Sequence, residues 1–416
     1  FEFNNLIIHL KKTGEKNMKK TLVSLAAAAA ITTGAFAADK GIDIVTTGQA
    51  VVYYQTSETD NTVGSDLFDQ GSSSANVGVQ LNLNADLKNN FTFGSQLTYL
   101  GTAGLENNLV SGVRQTAGSI IAGSTTDEIA LTKIFVAKKI ANTTVKIGRQ
   151  ELPKSLSPLA YTEGWNVFKN TFDAIVAINT DLPNTTLVGA YVSGGTAQSL
   201  GSTADNTTAG LNIVDGAYML TAQTTALPMT TLTGSYYTLH GVNQTAVSNG
   251  ISADAYWVDA KIAGKDLPMG LKIGLQYGNI DPDTLDDTTV YGLKASVKAT
   301  DALTVCAAYT DVDNGVVSVQ NVGTGIKTPL FTQMVANQGS ISLDADTVML
   351  KAAYSLGDMG TVALAYGMTD DNTANVANSD DYNKIDLTYS VNAGGVKYFA
   401  AYVNQDFDGA NGVALA

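Results

Sequence analysis

Covalent catalysis needs a nucleophile held beside an oriented base, and this sequence offers little for it. Cys306 is the sole cysteine, and His240 is the one histidine beyond the first 37 residues. No P-loop, CxxC or HExxH spacing occurs. The run "DPDTLDD" from Asp281 gathers carboxylates of the kind that hold hard cations. It lacks the EF-hand spacing, because Asp286 stands where that loop needs glycine and Gly292 where it needs glutamate. A different pattern recurs along the chain. Lys146, Lys272, Lys294, Lys298, Lys351, Lys384 and Lys397, with Asp86, Asp173 and Asp386, are expected on one polar face of alternating segments. Between two such segments, residues 150–170 carry Glu151, Lys154, Glu163, Trp165 and Lys169, with Pro153 and Pro158 to order the loop. Fixed charges of both signs around an aqueous path select solutes by charge and size.

The elements that would position these groups are β-strands. In "NVGVQLNLNADL" (76–87), Val77, Val79, Leu81 and Leu83 alternate with Asn76, Gly78, Gln80 and Asn82; the alternation resumes at Phe91 after Lys88-Asn89-Asn90. Period two marks a strand whose faces meet different solvents. "LKIGLQYG", "YGLKASVKA" and "VMLKAAYSL" repeat it. Strands are predicted at 42–54, 76–87, 91–100, 128–140, 143–149, 171–180, 185–194, 213–225, 229–239, 252–262, 270–279, 288–299, 302–311, 346–356, 361–368, 382–391 and 395–404, with another beginning at 411–416. Their connections alternate between short turns and long loops. Strands of nine to eleven residues suffice to cross a bilayer when tilted, and closure satisfies every backbone group in lipid. The reading is all-β: a transmembrane, antiparallel, up-and-down β-barrel of about 18 strands, with turns at the periplasmic end and loops outside. Tyr53, Tyr54, Tyr99, Tyr277, Tyr291, Tyr309, Tyr366, Tyr382 and Tyr402 fall near the loop ends, as an interfacial girdle would.

Residues 18–37 read as a signal peptide: a Lys19-Lys20 pair, a short apolar run and Ala35-Phe36-Ala37, with cleavage expected after Ala37. Residues 1–17 are read as an upstream-like extension without fold, and 38–416 as the barrel domain, with its last strand expected to be truncated. Of 24 basic and 38 acidic residues, 19 and 36 remain beyond position 37. That acidity argues against a nucleic-acid partner. The lone cysteine rules out an internal disulfide framework. The acidic excess sits in the loops, which favours a cation preference at the mouth.

The stretch 145–192, with "IGRQEL", a proline-containing loop and the strand restart "FDA", resembles the major outer membrane porins of the Campylobacter type. The resemblance implies a homotrimer of eighteen-stranded barrels in the bacterial outer membrane, among bilayer lipid and lipopolysaccharide. It implies passive diffusion of ions and small hydrophilic solutes, with the third long loop, here 150–170, folded inward to narrow the channel. It makes a bound Ca2+ conceivable without placing it; no other cofactor is expected, and no enzymatic activity. Two alternatives stand beside this reading: a substrate-specific channel that uses the wall lysines as a ladder, and a plugged structural or adhesive barrel.

Overall fold

The computed structural model describes residues 2–13, 42–59, 66–116, 125, 127–164, 166–200, 216–242, 251–372 and 381–408. The signal-peptide segment and the strand expected at 411–416 lie outside the described residues. Eighteen antiparallel strands form one closed sheet. They are β1 (Glu2–Thr13), β2 (Asp43–Thr59), β3 (Ser73–Lys88), β4 (Phe91–Gly101), β5 (Glu128–Ile140), β6 (Thr143–Gln150), β7 (Phe172–Asn179), β8 (Thr185–Gly195) and β9 (Ala217–Thr224). The chain continues through β10 (Thr230–Val242), β11 (Ile251–Ala263), β12 (Lys272–Pro282), β13 (Thr288–Lys298), β14 (Leu303–Val312), β15 (Ala345–Ser355), β16 (Thr361–Asp371), β17 (Asp381–Ala393) and β18 (Val396–Asp408). Each of the seventeen strands from β2 onward overlaps a segment predicted from alternation.

Closure departs from expectation. Residues 2–13, expected to carry no fold, form β1 and pair antiparallel with both β18 and β2. The reason is parity. In an up-and-down meander, the first and last of seventeen strands run in the same direction, so an antiparallel seam between them requires one more strand. The apolar run Leu6-Ile7-Ile8 of β1 suits that place.

The short turns use residues that accept positive φ. Asn89 and Asn90 adopt φ of 52° and 64°, and Gly394 and Gly395 59° and 77°, as tight hairpins demand. The two faces then separate as the sequence alternates. Leu275, Tyr277, Leu293, Leu350 and Leu364 are exposed on the outer wall, while Gln276, Ala308, Met349 and Ala365 are buried on the inner one. Among the described residues no helix is long and apolar enough to cross a membrane; crossing by strands needs none. Of the tyrosines expected in a girdle, Tyr53 and Tyr382 instead point inward and are buried. Their partners lie inside: the Tyr382 hydroxyl donates to the Ala336 carbonyl at 3.3 Å.

Candidate functional site: the lumen and its two inward loops

Among the described residues, two loops fold into the barrel interior. The first, 151–171, follows β6. Its Leu152, Leu159 and Ala160 pack against Val176, Val188, Met219, Tyr237, Ala255 and Trp257 of the inner wall. Phe168 lies against the opposite wall with Leu100 and Val51. Gly78 makes that approach possible, since a Cβ there would come within 2.4 Å of the Phe168 ring. The second loop, 313–344, joins β14 to β15 and also enters the lumen, with Val319, Leu330 and Ile341 in the same apolar cluster. The sequence reading did not single it out. Its signal is compositional: between Val316 and Leu343 the chain carries one charge, Lys327, amid Val, Ile, Leu, Phe and Met, which a solvated loop would not.

The loops are clasped to each other. Asn321 Oδ1 accepts from the Tyr161 amide at 3.0 Å, while its Nδ2 donates to the Tyr161 carbonyl and to Glu163 Oε2, both at 2.9 Å. The Val322 amide donates to the Leu159 carbonyl at 2.8 Å. The Tyr161 hydroxyl and Lys154 Nζ both reach the Thr328 carbonyl, at 3.0 and 3.2 Å. The second loop is bolted to the wall. Gln276 donates to the Pro329 carbonyl and accepts from the Phe331 amide, each at 3.1 Å. Asp386 Oδ2 accepts from the Val335 amide at 2.7 Å. Such paired amide contacts satisfy loop backbone that the lumen would otherwise strand.

The loop charges expected at a constriction occupy distinct environments. Glu151 lies between Lys133, a hydrogen-bonded partner, and Lys169 at 3.3 Å. Burial pushes its carboxyl up, but those two ammonium groups outweigh burial and hold it below the usual carboxylate range. Lys154 sits 4.8 Å from the centre of the Tyr161 ring; burial pulls its pKa down to about 8, opposed by the field of Asp259. Glu163 is 7% exposed, and burial raises its pKa above the ordinary value despite the Asn321 hydrogen bond. Lys327, on the second loop, donates to the Met334 and Val335 carbonyls at 2.9 and 2.7 Å. Burial, then the neighbouring charge of Lys384, draws it to about 7. Trp165 lies outside the described residues.

The wall charges also divide. Lys272, Lys294, Lys298, Lys351 and Lys397 stand on the inward face by strand alternation. Lys146 is inward too, its Nζ 3.8 Å from the centre of the Phe135 ring. Lys384 and Asp386 are inward but buried under the second loop, 3.3 Å apart. Asp86 shares the inward parity, yet it sits at the turn, where its Oδ1 accepts from the Lys88 amide at 2.8 Å.

Asp173 is a correction. It shares the face of Ile175, which is exposed on the outer wall, so it does not line the lumen. Arg149, on the same face as the exposed Ile147, meets it in a two-pronged pair with both contacts at 2.8 Å. Mutual neutralisation is what lets two charges stand on an outward face. Lys133 was missed because a bulge breaks the β4–β5 register between Gln96 and Leu97. There Leu131 and Ile134 both face out, which puts Lys133 inside. Lys261 was missed although simple alternation puts it on the inward face of Trp257 and Asp259.

A cavity of 570 Å³ lies between the second loop and the wall from β13 through β18 to β2. Lys294, Lys327, Lys351 and Lys397 line it, against one carboxylate, Asp386. Among the described residues no three carboxylate, histidine or thiol groups converge as metal ligands.

The fold is that of known outer-membrane channels. The chain is similar to OccK8 (OprE) of Pseudomonas aeruginosa, with a TM-score of 0.63 over 97% of this chain and 98% of that one, at 12% identity. It is similar to OpdK of the same organism, solved with vanillate, with a TM-score of 0.61 over 98% of each chain at 12% identity. It is also similar to OccAB2 of Acinetobacter baumannii, with a TM-score of 0.59 over 98% of this chain and 97% of that one, at 12% identity. No protein-family model matches the sequence, and no curated protein does.

Proposed function

We propose that the protein is a porin of a bacterial outer membrane, a passive channel for ions and small hydrophilic solutes, and not an enzyme. The observation that carries this is a closed barrel with an apolar outer wall and an inner cavity lined by lysines. The structural neighbours support the barrel channel in general. The Campylobacter-type likeness of residues 145–192 is a separate and finer expectation, as are the homotrimer, contact with lipopolysaccharide and cleavage after Ala37.

Ion preference follows from where the charges sit. The loop carboxylates drew the sequence reading toward cations. The cavity's lysines, however, outnumber its one carboxylate, which is already bonded to Val335 and close to Lys384. Charge lining an enclosed cavity weighs more than charge at a screened mouth, so we infer a preference for anions. An anion preference fits the general-diffusion reading and the lysine-ladder alternative alike. The test is conductance of the full chain in a planar bilayer under a salt gradient. Stepwise openings with an anion-selective reversal potential are expected. Insertion without conductance would overturn the channel and favour a plugged barrel.

A further inference from the structure

Resting on that channel reading, we propose that the outer wall of β13–β16 holds a binding slot for one acyl tail of a phospholipid in the periplasmic leaflet. The outside of a barrel is convex, so a tail lying on it touches protein along one side. Across these four strands the wall is instead hollow. The cross-strand register sets Ala295 beside Ala307, and Ala352 beside Val305 two residues nearer the turns. Taller side chains stand around this floor, with Leu350 and Leu364 each about half exposed. The result is a groove of 510 Å³. The outward side chains that line it are aliphatic, apart from Tyr366. Cys306 and Lys351 border it through their backbone only, since both also line the lumen cavity on the other face of the sheet.

The slot has a closed end and a defined length. Leu293 pairs with Tyr309, and Leu350 with Tyr366. These two Leu–Tyr pairs stand at matching depth and close the groove toward the loops. The Tyr366 hydroxyl donates to Asn383 Oδ1 at 3.0 Å, which steadies the second pair. Counted from the turn ends, Leu293, Leu350 and Tyr366 are each the sixth residue of their strands. Six residues of a strand tilted about 40° cover about 15 Å of membrane depth. Half of a hydrocarbon core about 30 Å thick is also about 15 Å. The slot therefore runs from the midplane to the periplasmic edge, the reach of one tail in one leaflet. That length selects the occupant. A second copy of the barrel would present a convex wall, which bridges the hollow and leaves the alanine floor without partner atoms; a flexible tail reaches the floor and gains those contacts. No charge faces outward from the groove, so the tail is recognised and the headgroup is not.

The experiment is native mass spectrometry of the full chain in a neutral detergent, with palmitoyl-oleoyl phosphatidylethanolamine added in steps. One lipid per barrel is expected to survive collision energies that strip the others. Phosphatidylglycerol with the same tails should be retained equally. Dioctanoyl phosphatidylethanolamine, whose tails stop short of the Leu–Tyr pairs, should be held about tenfold more weakly, because each missing methylene removes apolar burial. Ala307→Trp and Ala352→Trp fill the floor and should abolish the retained lipid. Leu220→Trp, on the exposed outer wall of β9, should keep it. A lipid count that ignores tail length and both floor variants would overturn the slot. A floor variant that instead changes the number of chains per particle would overturn it in favour of a contact between copies. Bilayer recordings of the same preparations keep the two readings apart. Stepwise openings leave the channel standing whatever the lipid count does, and their absence from the parent protein would overturn the channel itself.

Discussion

The two halves of the barrel interior differ in kind. From β7 to β11 the inner wall is Phe172, Val176, Val188, Met219, Tyr237 and Trp257, sealed under the first loop as a dry core. From β13 to β18 it carries lysines and small or flexible apolar residues facing open space. One half resembles the core of a soluble domain cut open and lined with a loop. The other borders an open cavity. A barrel this wide would hold a broad aqueous channel if its wall alone set the bore. Here apolar burial on one side anchors the loops, and the cavity lies on the other side. Stability and selectivity are thereby assigned to different strands, and that separation can be attacked from either side.

The largest effect should come from the sealed half. Trp257 is 1% exposed, and its Nε1 donates to Asp259 at 3.0 Å. Trp257→Ala should cost about 3–5 kcal/mol, the range for a large core truncation, read by denaturant unfolding. The reversal potential of molecules that still insert should stay near that of the parent. A selectivity change as large as the stability loss would break the proposed division.

The clasp between the loops comes next. Asn321→Ala removes five contacts at once and leaves Glu163 Oε2 without its 2.9 Å donor. Loss of a buried partner costs about 1–3 kcal/mol. Because the clasp holds the passage, noisier and larger openings are expected in bilayer recordings. Unchanged conductance would mean that each loop is held by the wall alone.

The open half should answer in selectivity instead. Lys294→Glu and Lys351→Glu each reverse one charge in water-filled space. At about 4 Å from a passing ion, a unit charge in water is worth about 1 kcal/mol, so each reversal should lower the anion-to-cation permeability ratio severalfold. Unfolding midpoints should stay unchanged, because neither side chain is part of the core clusters. A reversal potential that does not move would remove that lysine from the passage.

How much of this the sequence shows depends on which contacts are local. Strands are legible because alternation persists over nine or more residues, as in Leu275-Gln276-Tyr277 or Ala295-Ser296-Val297. The inward lysines follow from the same parity. It fails where the backbone adds a residue, as at Lys133 beyond the β5 bulge. At Asp173 parity holds and polarity misleads: alternation puts it outward beside Ile175, where Arg149 of a neighbouring strand pairs with it. The second loop was hidden because a connector has no period to read; only its lack of charge distinguishes it. The place of β1 follows from closing a sheet, which no local window contains.

The smallest predicted effect joins the two halves through one group. Lys327 belongs to the second loop but lines the cavity. Burial, with the charge of Lys384, brings its pKa to about 7, while Glu163 and Asp386 pull the other way and Arg114 adds a further lowering. The sign is fixed by the direction of that shift. Below about pH 7 the ammonium adds a positive charge to the passage; as pH rises through 7 that charge is lost, so anion preference should fall between pH 6 and 8. Lys294 and Lys351 hold the remainder, and the change should be partial. Lys327→Gln should flatten the profile near the high-pH value. If the variant keeps the same pH dependence, the titrating group is elsewhere, and Lys154, drawn to about 8 by burial, becomes the next residue to replace. The midpoint separates the two: a profile centred near 7 belongs to the second loop, and one centred near 8 to the first.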